Sequence, residues 1–207
     1  MTTTSTEPST ATPTAGASGN RWRTVDIVVG AVIAVTFGVV FYAWDLAWNG
    51  LEGLFDAAPW AGALVYGVWY IPCVLAPMIL RKPGSGVFTS TVAAAISALL
   101  GAKWGLATVF AGLLQGIGGE APFAATGYRN SKLATALAGG AISGCASVLD
   151  LIVWYSTWST GYKIGYVACA ALSGMVVAGV GSFALTRALA STGVLDRFPS
   201  GRNRTLV

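Results

Sequence analysis

The chain has 207 residues, 55% of them apolar and only 10% charged, with no histidine, a net charge of +4 and a mean hydropathy of +0.67. A soluble domain carries about 25% charged residues, so this chain cannot cover a folded surface exposed to water on all sides, and it reads as an integral membrane protein. The absence of histidine removes the commonest general base, metal ligand and triad partner together, which argues against an enzyme and leaves no cofactor or metal to expect.

Residues 1–20 are almost entirely Thr, Ser, Ala, Pro and Gly, with Glu7 the one charge, a composition that cannot offset ordering entropy. They are expected to form a disordered tail. Arg21 and Arg23 follow, and the apolar run after them is of membrane-span length, so it reads as a retained helix rather than a signal peptide. Apolar segments at about 25–44, 60–80, 86–101, 104–127, 132–155 and 164–190 predict six spans in a domain covering 21–192, with a basic tail at 193–207. The third and fourth are parted only by Gly101-Ala102-Lys103-Trp104-Gly105. As one helix they would run for about 50 Å, too long for a single crossing, so a turn at Lys103 is expected.

Charge placement supports this count. With both ends inside, one face collects Arg21, Arg23, Arg81, Lys82, Arg129, Lys132, Arg187, Arg197, Arg202 and Arg204, while Lys103 and Lys163 alone fall outside. That asymmetry follows the positive-inside rule. It predicts an all-α, six-helix, multi-pass protein of the cell membrane with cytoplasmic termini. The basic residues form no stripe suited to nucleic acid. Cys73, Cys145 and Cys169 lie far apart in apolar segments and read as buried small hydrophobes.

Within the fourth span, Glu120 lies nine residues before Arg129, or about 13 Å of helix from the cytoplasmic surface. A carboxylate there costs roughly 2.5–3.5 kcal/mol unless it faces a cavity or a partner, and no basic residue is near it in sequence. Its neighbours Gly118, Gly119 and Pro122 permit close approach to the backbone. Two readings stand: a ligand-binding carboxylate with Gln115 on the cavity wall, or a protonated Glu bonded to a neighbouring helix. The string Gly116-Ile117-Gly118-Gly119-Glu120-Ala121 fits a loose dinucleotide pattern, but without a preceding strand it carries no weight. There is no G-x-x-x-x-G-K-[ST] loop, so any ATP-driven role needs a partner chain.

Aromatic residues crowd the outer face. Trp44, Trp48 and Trp60 flank the first outer loop, and Trp154, Tyr155, Trp158, Tyr162 and Tyr166 surround the last. An interfacial belt is the plain explanation, yet Asp45 and Asp150 lie among them. On a continuing helix Asp150, Trp154 and Trp158 would share a face, a setting suited to a flat cationic heterocycle. In the first span Gly30, Ala34 and Gly38 make a small-residue stripe, either for internal packing or for another membrane subunit. Gly174, Ala178 and Ser182 repeat the pattern in the last span, where internal packing is expected.

Arg81-Lys82-Pro83-Gly84-Ser85-Gly86, then Gln115-Gly116-Ile117-Gly118-Gly119-Glu120-Ala121-Pro122-Phe123, then Gly127-Tyr128-Arg129-Asn130 together resemble the YkoE family, over about residues 24–190. These are substrate-binding S components of energy-coupling factor transporters linked to thiamine and hydroxymethylpyrimidine. The resemblance implies a six-helix subunit that captures the vitamin from outside and works with a membrane coupling (T) protein and two cytoplasmic ATPases. It also implies a ligand near the outer side, for which Glu120, Gln115, Asp150, Trp154, Trp158, Tyr155, Trp44, Asp45 and Trp48 are the candidates, and a coupling stripe matched by Gly30, Ala34 and Gly38. A carboxylate such as Glu120 would pair with an aminopyrimidine in a bidentate contact. Two rival readings are a proton-coupled secondary transporter using Glu120 and a non-catalytic membrane scaffold.

Overall fold

The computed structural model describes residues 21–196 with Phe198 and Ser200, and only the backbone of Asp150. The expected tail at 1–20 lies outside the described residues. The chain is all-α. Helix α1 spans Thr24–Leu51, α2 Pro59–Leu80, α3 Ser85–Leu99, α4 Leu106–Ala125, α5 Leu133–Cys145, α6 Val148–Val153 and α7 Thr160–Ser191. Helices α1 (with the 3₁₀ turn that follows it), α2 and α7 are long and apolar enough to cross a membrane by length and composition, and α3 and α5 are shorter apolar helices.

At the centre lies α2, with 67% of its most apolar window buried against 28% for α1 and 33% for α7. Its first half, Pro59–Tyr70, is wound as a 3₁₀-helix, far beyond the usual three or four residues. In hydrocarbon no water can repair backbone hydrogen bonds, so every polar group needs an internal partner. Side chains from neighbouring helices supply them: Ser173 Oγ donates to Leu64 O at 2.5 Å, Ser182 Oγ to Ile71 O at 3.2 Å and Thr89 Oγ1 to Pro72 O at 3.1 Å. Trp44 Nε1 donates to Val65 O at 3.1 Å. Helix α7 answers with a π-helical stretch at Gly174–Val180, where Gly174 and Gly140 of α5 meet backbone to backbone.

Along α1, Val28, Val32, Val35 and Val39 stay more than half exposed. In water such a stripe would invite aggregation; in a bilayer it is an ordinary lipid-facing surface. The opposite stripe of α1 faces inward. A Cβ on Gly38 would come within 2.6 Å of Ile96, Gly30 sits against Phe88 and Leu80, and Ala34 is fully buried. Gly30, Ala34 and Gly38 are therefore consumed by packing against the α2–α3 side, which corrects the expectation that they present a coupling surface. Gly174, Ala178 and Ser182 are buried as expected.

Two boundaries also differ from the sequence reading. The segment 132–155 is not one helix: it breaks after Cys145 and ends at Val153, so Trp154 and Trp158 are not carried on a continuing helix above Asp150. The C-terminal part does not leave as a tail at 193, because Leu195 and Phe198 are buried against α2 and Ser200 Oγ donates to Ile79 O at 3.2 Å; residues 201–207 lie outside the described ones. Among the cysteines Cys73 is buried, whereas Cys145 is exposed and Cys169 half-buried.

The ends of the bundle are chemically distinct. Trp22 Nε1 donates to Pro83 O and Lys82 Nζ to Arg21 O, both at 2.9 Å, which gathers the basic N-terminal segment and the α2–α3 loop at one end. Lys103 donates to Glu52 at 2.5 Å at the other, and the expected turn at Lys103 is present at 100–105.

Candidate ligand site

Three residues per turn on the 3₁₀ half of α2 set Ala63, Tyr66 and Trp69 in a row along one side. Tyr66 and Trp69 meet edge to face, ring centroids 5.1 Å apart, and Trp104 from the turn before α4 stands against Trp69 at 5.7 Å. Across from them Tyr166 of α7 lies 5.8 Å from Tyr66 and 5.5 Å from Tyr155. These five rings, with Phe41, Trp154 and one side of α4, line a narrow, half-open cleft at the end of the bundle away from the basic loops. Three of these pairs meet at 76–87° and Tyr155 meets Tyr166 at 58°, so the rings hold one another in place.

The α4 wall is the polar one. Thr108, Ala111 and Gln115 follow at helical spacing and all line the cleft. Thr108 Oγ1 is buried without a hydrogen-bond partner among the described residues. Gln115 uses its backbone carbonyl to accept from Ser143 Oγ at 3.1 Å, and its side-chain amide remains for whatever enters. The site therefore combines ring faces with a hydroxyl and an amide, which between them donate and accept.

Of the sequence candidates, Gln115, Trp154 and Tyr155 line the cleft directly. Trp158 stacks on the back of Tyr155 at 4.2 Å, and Trp48 packs edge to face behind Tyr66 at 5.4 Å; both brace the walls instead of lining them. Trp44 is committed to the α2 backbone. Asp45 is buried behind Trp69, accepting from its Nε1 at 3.2 Å and from Ser97 Oγ at 3.1 Å. The side chain of Asp150 lies outside what is described. Tyr66, Trp69, Trp104 and Phe41 were not anticipated. The spacing of Tyr66 and Trp69 held the signal, but only for a three-residue turn that α-helical periodicity does not test.

Glu120 is not in the cleft. Its carboxylate accepts from the backbone N–H of Gly84 at 2.5 Å and of Val87 at 3.0 Å, and from the Tyr128 hydroxyl at 2.6 Å. Gly84 and Val87 are the N-cap and N3 positions of α3, whose free N–H groups and positive dipole end favour an anion. No acidic residue lies in that helix's own first turn, so the cap comes from α4 instead. Of the two readings of Glu120, the geometry matches the one in which it is bonded to a neighbouring helix. Burial, then the adjoining carboxylate, hold the Tyr128 phenol above its ordinary pKa, so it stays protonated and donates. The glycines beside Glu120 serve helix contact too: a Cβ on Gly119 would overlap Cys73, and one on Gly116 would meet Val87.

The three motifs that carried the family resemblance thus assemble as one clasp at the basic end. Comparison with known proteins agrees with that resemblance. A family model described as "ABC-type cobalt transport system, permease component" matches residues 25–146. The chain is 34% identical over 183 residues, covering 87% of itself and 91% of the relative, to a Bacillus subtilis (strain 168) protein described as "Putative HMP/thiamine permease protein YkoE". A solved structure described as an S component of an ECF transporter superposes with a TM-score of 0.82 at 32% identity, covering 88% of this chain and 93% of that one. The chain belongs to the YkoE-like family of S components of energy-coupling factor transporters.

Proposed function

We propose that this chain captures thiamine or its hydroxymethylpyrimidine precursor in the aromatic cleft, as the substrate-binding subunit of an ATP-driven importer. The observation that carries this reading is the composition of the cleft: seven aromatic rings, a threonine hydroxyl without a partner among the described residues and a glutamine on one wall. An aminopyrimidine has two flat faces, an amino group that donates and ring nitrogens that accept. Stacking on Tyr and Trp holds the faces, and Gln115 with Thr108 matches the edge with one neutral bond each, worth about 0.5–1.5 kcal/mol apiece. In this proposal Gln115, Trp154 and Tyr155 touch ligand, while Trp158 and Trp48 keep the walls in register.

The basic end is proposed to face the cytoplasm, with α1 to α5 and α7 as six spans and both termini inside, following the distribution of Lys and Arg. The cleft then opens outward. A T protein and two ATPases complete the transporter, since this chain has no phosphate-binding loop. As a family member it is a transport subunit rather than an enzyme. The family model's mention of cobalt finds no group of three or more His, Cys, Asp or Glu side chains among the described residues. A self-sufficient transporter using Glu120 as its proton site is disfavoured by the three donors that already hold that carboxylate.

Calorimetry on the purified, detergent-solubilised chain with thiamine, hydroxymethylpyrimidine and riboflavin tests the proposal. Saturable binding of either of the first two, with none of riboflavin, is expected; silence for both removes the substrate assignment.

A further inference from the structure

Asp45 is 2% exposed, and both of its hydrogen-bond donors, the Trp69 indole N–H and the Ser97 hydroxyl, are neutral. Among the described residues the ion pairs are Lys82 with Asp26 and Lys103 with Glu52, so no lysine or arginine balances it. An enclosed carboxylate without a counter-charge is unfavourable, and the Trp69 ring that donates to it also lines the cleft. The hydrogen bond adds to this. An indole whose N–H donates to an anion gains electron density on its faces, and the face of tryptophan is already the strongest aromatic receptor for a cation.

We infer that Asp45, acting through Trp69, sets the charge preference of the cleft, so that it favours a ligand bearing a permanent cationic ring over a neutral one of the same hydrogen-bonding pattern. This rests on the cleft being the ligand site and goes beyond it by choosing between the two ligand types: thiazolium-bearing thiamine is held more tightly than neutral hydroxymethylpyrimidine. Asp45 is a positioning residue here, since it lies behind the wall and touches the ring that touches the ligand. Ser97, one bond further out, fixes the carboxylate's second oxygen.

The test is a pair of titrations, thiamine and hydroxymethylpyrimidine, at a pH where the pyrimidine is uncharged, on the wild type and on Asp45→Asn. Asparagine fills the same space and still accepts from Trp69, but carries no charge. The expected result is that thiamine binding weakens about tenfold, as loss of a partly desolvated cation–π contact would give, while hydroxymethylpyrimidine binding changes less than twofold. Equal weakening of both ligands, or of neither, overturns the inference, because a merely structural Asp45 has no reason to distinguish them. Wild-type protein that binds neither ligand would instead defeat the assignment of the cleft. Should Asp45→Asn fail to fold, Trp69→Phe gives the same reading: the ring remains, the N–H is gone, and selective loss of thiamine is expected, with equal loss of both ligands overturning the inference.

Discussion

The clasp at the basic end and the cleft at the other end treat their central polar side chains in opposite ways, although Arg81 Nε and Ser85 Oγ beside the clasp are, like Thr108 Oγ1, buried without a partner among the described residues. Around Glu120 each carboxylate oxygen has a donor, and helix start, loop and phenol are tied together. Around Trp69 the rings are ordered, yet Thr108 Oγ1 is left without a partner among the described residues, and Gln115 lines the cleft. A satisfied polar cluster in a low-dielectric interior adds rigidity, whereas an unsatisfied one costs free energy until something arrives to complete it. The motif-rich region around Glu120 is therefore the part that ties helices together, and the cleft is the part proposed to meet the ligand.

That contrast is most severely tested by Glu120→Ala. Removing the carboxylate leaves three donors unmatched, and a loss of about 3 kcal/mol or more is expected, read as a clear drop in melting temperature in detergent. Thiamine affinity of the remaining folded protein should stay within about threefold. If Glu120→Gln instead abolished binding with an unchanged melting temperature, the two regions would have exchanged roles.

Next in size is Gly38→Ala in the inward stripe of α1. A methyl group there meets Ile96, and overpacking of this kind costs about 1–3 kcal/mol, so the isolated subunit should melt earlier. Normal stability combined with lost uptake in the presence of the T protein and ATPases would return the stripe to an intersubunit role. Trp154→Ala lies on the cleft side of the comparison. Its ring is more than half exposed, so stability should barely change, while ligand affinity falls by about 0.5–1.5 kcal/mol with the lost stacking. The smallest expected effect is that of Thr108→Val, about 1 kcal/mol in affinity for the hydroxyl's single hydrogen bond to ligand; a gain in stability without loss of binding would show that the hydroxyl is not used.

Much of the fold could be read directly from hydropathy. The turn at Lys103 and the bounds of α3 and α4 lie within two residues of expectation, because apolar length and a charged interruption are one-dimensional signals. The split of 132–155 was hidden, since Gly144 to Ser147 are as small as the helix they end; at the break Gly144 passes close against Ala170 of α7. Glu120 was conspicuous for the right reason, an intramembrane charge, but its partners are backbone N–H groups 36 and 33 residues away, which no side-chain pattern reveals. The cleft was half visible. Its α4 wall and the residues after α6 include the sequence candidates Gln115, Trp154 and Tyr155, while Tyr66 and Trp69 sit in an apolar span without a charged neighbour to single them out.

The winding of Pro59–Tyr70 is what joins those two rings. At three residues per turn, Trp69 comes back under Tyr66; at 3.6 it would fall about 60° short of a full turn, and the twelve-residue stretch would be shorter by about 6 Å. Trp44 and Ser173 hydrogen-bond its carbonyls at Val65 and Leu64, on the turns that carry the pair of rings. The shape of the proposed ligand pocket thus depends on hydroxyl and indole groups outside its lining.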